Sequence, residues 1–158
     1  GFTIKFCPNV AVWEYAEGVE TCKSNAHWDR INSLEKVIYP STMKKIPEYI
    51  VSCSSEKSVE VPGFQYASVG TMTCKTLVCK ATIPPVLDTS IFASDLKFYY
   101  DSVSKGYYCE RNGKKLHLYN VNVPSDAVLY VPMESINLYK SAPLWENFTD
   151  IRAIEDME

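Results

Sequence analysis

The side chains of this 158-residue chain that could do chemistry are six cysteines, two histidines, 19 carboxylates and eleven tyrosines. The cysteines (Cys7, Cys22, Cys53, Cys74, Cys79 and Cys109) are even in number and scattered, and none forms a C-x-x-C pair. In a small Tyr-rich chain that pattern predicts disulfides between all six and, with them, an oxidising compartment. The plainer reading is free thiols packed as small hydrophobes. Spacing does not choose the pairing, but it disfavours Cys74 with Cys79. In an extended strand their Cα atoms would stand about 16 Å apart, and a disulfide spans about 7 Å at most.

His27 and His117 could supply the base and acid of a secreted ribonuclease, which must take one proton and give another. Against this, the pattern around His117 places it on a solvated strand face, where an imidazole is commonly inert. The same histidines with Cys74 and Cys79 could make a zinc set of two cysteines and two histidines. Zinc sites usually carry tightly spaced cysteine pairs, which this chain lacks, so no metal is expected. There is no G-x-S-x-G nucleophile motif and no glycine-rich phosphate loop. Carboxylate pairs for glycoside hydrolysis leave no mark in a sequence. No catalytic residue and no cofactor are expected.

The remaining signal is aromatic. Tyr99, Tyr100, Tyr107, Tyr108 and Tyr119 crowd one stretch. Tyr is amphipathic and loses little entropy on ordering, so recognition surfaces use it; the bland alternative divides these rings between core and isolated surface positions. If a binding face exists, its expected members are Tyr108, His117 and Tyr119, with Glu110 and Lys115 at the rim. Asn147-Phe148-Thr149 is a candidate glycosylation site.

Net charge is −3, and the basic pairs Lys44-Lys45 and Lys114-Lys115 are too small for a nucleic-acid track. No apolar run is long enough to span a membrane. The chain opens on Gly1, which reads as a processed or recombinantly expressed form, either of which would hide any targeting segment.

These groups must be positioned by a mainly β, or α+β, fold. Phe2 to Cys7, Tyr49 to Cys53, Ser58 to Val61, Phe64 to Val69, Asp95 to Tyr100 and Lys105 to Glu110 read as short strands. Thr71 to Ile83 reads as the longest strand, Ala127 to Val131 as a central one and Ser135 to Lys140 as the last. Asn112-Gly113 predicts a type I′ hairpin. Its simplest register sets Glu110 against Lys115, Cys109 against Leu116 and Tyr108 against His117. Trp28, Ile31, Leu34 and Val37 or Ile38 recur at helical spacing, predicting a helix over 26–38 that Pro40 stops. Leu144, Phe148, Ile151 and Ile154 predict a second over 143–155, followed by an acidic end. The expected architecture is a disulfide-stabilised antiparallel sandwich or distorted barrel over 1–142, with a C-terminal helix and tail over 143–158.

The function expected from this is a non-enzymatic extracellular module that binds a cell-surface or secreted protein. It would be a secreted factor or glycoprotein ectodomain, including one of viral or pathogen origin acting on a host. A secreted hydrolase and a structural subunit of a surface assembly are the alternatives.

Overall fold

A computed structural model describes residues 12–21, 35–46, 57–72, 74–87 and 96–157. Cys7, Cys22, Cys53, His27, the expected strands over 2–7 and 49–53 and most of the helix expected over 26–38 lie outside them. The described strands, in chain order, are β1 (Val12–Glu14), β2 (Lys36–Tyr39), β3 (Lys45–Ile46), β4 (Lys57–Val59), β5 (Tyr66–Thr71), β6 (Thr76–Cys79), β7 (Val86–Leu87), β8 (Lys97–Asp101), β9 (Gly106–Arg111), β10 (Lys114–Asn122), β11 (Val128–Val131) and β12 (Ile151–Ala153). One short helix, α1 (Ile136–Ser141), follows β11.

The inner sheet runs β1-β2-β6-β11-β12, in chain order, and every neighbouring pair is parallel. A second parallel ladder lies a few residues further along the connections after β1, β2 and β6, where Thr21 bridges Lys45 and β3 pairs with β7. The chain therefore winds in coils, each laying one strand beside the last. In the first two coils the offset is constant: Gly18 N–H donates to Thr42 Oγ1, Ser41 Oγ to Glu17 and Lys44 Nζ to Glu20, each 24 residues apart.

Register makes the core. Trp13, Val37, Leu77, Leu129 and Ile151 stand opposite one another across the sheet, and the first four are buried. Two residues along, Tyr15 stacks on Tyr39 with ring centroids 5.4 Å apart, next to buried Cys79. In parallel coils like meets like, so apolar residues form continuous columns. Tyr139 on α1 and Trp145 close this core, with Trp145 Nε1 donating to the Pro85 carbonyl at 2.8 Å.

The outer sheet, β4-β5-β10-β9-β8, is mixed, with β5 parallel to β10 and the other pairs antiparallel. Tyr107 and Val123 lean on the inner core, so the face bearing Tyr108 points away from it.

Several expectations are corrected. The fold is mixed α/β with two parallel-rich sheets, not an antiparallel sandwich or barrel. Parallel pairing joins segments distant in sequence, which strand-by-strand reading cannot see. Cys74, Cys79 and Cys109 are free thiols in buried sites, so disulfides joining all six cysteines are excluded. Burial pushes the Cys74 and Cys79 thiols up to about 11, the behaviour of packed hydrophobes rather than reactive groups. With the crosslinks goes the argument for a secreted, host-directed glycoprotein.

Val37 and Tyr39 are buried in strand β2, where a helix end was expected. Of the strand expected over Thr71 to Ile83, Thr71 ends β5 and Thr76–Cys79 form β6. Ser135 to Lys140 is largely helical, and Pro143 ends that helix rather than starting another. The residue before a proline is driven extended, and Ala142 has ψ 141°. The chain then forms a 3-10 turn at Trp145–Asn147 and strand β12 in place of the helix expected over 143–155.

Candidate functional site

The hairpin at Asn112-Gly113 forms as its residues dictate, with φ of 52° and 77°. Lys114 opposes Arg111 and Lys115 opposes Glu110. The pairing then slips: His117 opposes Cys109, Leu118 opposes Tyr108 and Tyr119 opposes Tyr107. Leu116 is the extra residue of a β-bulge, and one extra residue sends every later side chain to the other face.

The bulge divides the expected binding face. Tyr108, Glu110 and Lys115 stay on the outward face. His117 and Tyr119 turn to the face that carries Tyr107 and Cys109. There His117 stacks on Tyr119 at 4.0 Å between centroids, lies 6.1 Å from the Tyr66 ring, and has its Nε2 2.8 Å from Ser68 Oγ. A serine oxygen at that distance from an imidazole has the spacing of a nucleophile and its base. Ser68 is buried, at 6% exposed.

On the outward face Tyr108 gains partners that the sequence did not reveal. Tyr99, directly opposite on β8, stacks on it at 5.5 Å, and Phe64 meets it edge-on at 5.3 Å. Lys115 Nζ sits 5.2 Å from the Tyr108 centroid and 5.3 Å from that of Phe64. Each such cation–π contact contributes about 0.5–1 kcal/mol at an exposed site. Phe64 also borders a groove of about 490 Å³ formed by the Val59–Gln65 turn over Ala67. Tyr99 is 41% exposed, on a strand at the edge of the outer sheet. Phe64 escaped notice in the sequence because it lies far from the Tyr cluster, brought in by the parallel β5–β10 pairing. Its one signal was the Pro62-Gly63 turn before it.

The inward end of β8 and β9 is structural. Tyr100 packs edge-on against Tyr107 at 5.2 Å. Both phenols are pushed up by burial, that of Tyr100 also by the Glu146 carboxylate. Asn147, the glycosylation candidate, donates one side-chain N–H to the Lys105 carbonyl at 3.2 Å. Among the described residues, no three His, Cys, Asp or Glu side chains gather as metal ligands, and no helix is long and apolar enough to cross a membrane.

Compared with known proteins, the chain matches no family model, no curated protein and no solved structure.

Proposed function

We propose that the chain is a binding module that engages a protein partner through the outward face of its outer sheet. One observation carries this reading: Tyr99, Tyr108 and Phe64 form a continuous aromatic surface, with Lys115 over two of the rings, beside an open groove. Large, stiff aromatic side chains contribute contact area at low entropic cost, and they dominate the energetics of recognition surfaces. The scaffold fits the role. Stacked coils hold the sheet in place, and its strands present side chains in fixed rows. The pairing of Lys115 with two rings keeps those rings oriented before a partner arrives, which lowers the cost of association.

The test is photocrosslinking in cells of origin with a benzophenone amino acid at position 99 or, as a control, at Val103, which is 90% exposed in the β8–β9 turn. The expected result is one protein captured from position 99 and not from 103. In purified form it should bind the wild-type chain at least about tenfold more tightly than the Phe64→Ala, Tyr99→Ala variant, the loss expected for hot-spot residues. Equal capture at both positions, or equal affinity for both chains, overturns the reading.

A further inference from the structure

At the end of β10 away from Lys115, a hollow of about 360 Å³ is lined by Val69, Val123, Asn120, Asn122, Asn147 and the Ser104-Lys105 turn. It falls within the range of about 300–1,000 Å³ usual for small-ligand clefts. Its walls are built rather than incidental. Lys105 holds a left-handed backbone with φ 56°, and its carbonyl accepts from Asn147 Nδ2. Asn120 Nδ2 donates to the Ser104 carbonyl at 2.8 Å in the same turn. Gly106 permits the close approach: a Cβ there would stand 2.6 Å from the Tyr119 carbonyl oxygen and 3.3 Å from Asn120 Cβ.

The chemistry of the lining selects its ligand. Asn147 gives one amide hydrogen to the turn, so its oxygen and its second N–H are what it can offer the hollow. Asn122, which is exposed, brings a donor and an acceptor, and Lys105 brings a cationic donor. Val69 and Val123 add apolar surface. An apolar ligand would strand the amides without partners, and an anion would meet amide oxygens as well as the ammonium. A ring of carbon carrying hydroxyls satisfies all three requirements, because each hydroxyl both donates and accepts while its C–H surface rests on the valines. We infer that this hollow is a monosaccharide-binding site, separate from the aromatic face.

The test is titration of the isotope-labelled full chain with glucose, galactose, mannose and N-acetylglucosamine, followed by amide NMR. At least one sugar should give saturable shifts centred on Lys105, Asn122 and Asn147. Asn122→Ala and Asn147→Ala should each weaken that sugar about fivefold, the loss of one hydrogen bond. Should Asn147→Ala fail to fold, Asn122→Ala decides alone, because the exposed Asn122 side chain can be trimmed without disturbing the turn. The inference is overturned if none of the four sugars shifts these amides, if Asn122→Ala binds as tightly as wild type, or if inorganic phosphate occupies the hollow in their place.

Discussion

Tyr139 donates its hydroxyl to the Ala81 carbonyl at 2.7 Å and reaches Cys79 Sγ at 3.2 Å, so one phenol ties α1 to the chain leaving β6. All three residues are buried. Tyr139→Phe keeps the ring packing and removes the donor, leaving the Ala81 oxygen without that partner. Such a loss costs about 1–3 kcal/mol. Urea denaturation should show a lower midpoint with an unchanged slope, and an unchanged midpoint would contradict the contact.

The thiols give a second prediction. Cys74 and Cys79 have pKa values raised from 9.0 to about 11 by burial. An acid whose folded pKa is raised stabilises the fold fully below its unfolded pKa, and that contribution fades as pH rises toward the folded value. Stability should therefore fall between about pH 9 and pH 11 and be insensitive to these groups at neutral pH. Alkylation without reductant, followed by peptide mass mapping, should label Cys74, Cys79 and Cys109 slowly in the native protein and fully in denaturant. A disulfide-linked peptide containing any of them would refute the assignment.

Gly106→Ala should be costly although glycine-to-alanine changes are commonly mild. The new methyl would lie 2.6 Å from a backbone oxygen of β10, which cannot swing aside as a side chain would. Overpacking of this kind costs about 1–3 kcal/mol. Thermal unfolding measures it, and an Ala variant as stable as wild type would mean that β9 and β10 lie further apart.

The bulge can be tested by spectroscopy. Because His117 Nε2 lies 2.8 Å from Ser68 Oγ, Ser68→Ala should shift the His117 Nε2 nitrogen resonance. Tyr108→Phe, on the opposite face, should leave it in place. The reverse pattern would restore the regular hairpin register and place His117 beside Tyr108.

What could be read from the sequence was local. Asn112-Gly113 marked its turn because both residues tolerate positive φ, and the first two pairs beyond it followed. The slip at Leu116 did not follow, since nothing within the hairpin requires it. The register that results also matches β10 to β5, where Leu118 faces Ala67 and Tyr119 faces Ser68. The coils were hidden for a related reason. Lys36 pairs 24 residues back with Val12, but 40 residues on with Thr76, and Thr76 pairs 52 residues on with Val128. Insertions of unequal length erase the period that self-similarity would show. Near the C-terminus, the spacing of Leu144, Phe148, Ile151 and Ile154 imitates a helix, while Pro143 and the need to pair with β11 impose a turn and a strand. Of the candidate site, Tyr108 and Lys115 were legible as a cross-strand neighbourhood. Phe64 was not, because its contact depends on tertiary pairing.

The two sheets differ in how the chain reaches them. β4 and β5 lie between the second and third coils, and β8, β9 and β10 between the third and fourth, so the whole outer sheet is carried on detours from the winding path. Such an arrangement separates a chassis from its payload. The columns from Trp13 to Ile151 answer to stacking alone, while the detours are free to change length and surface. Divergence should concentrate in 57–71 and 97–122, and a chimera that swaps those stretches should keep the coils and change what the molecule grips.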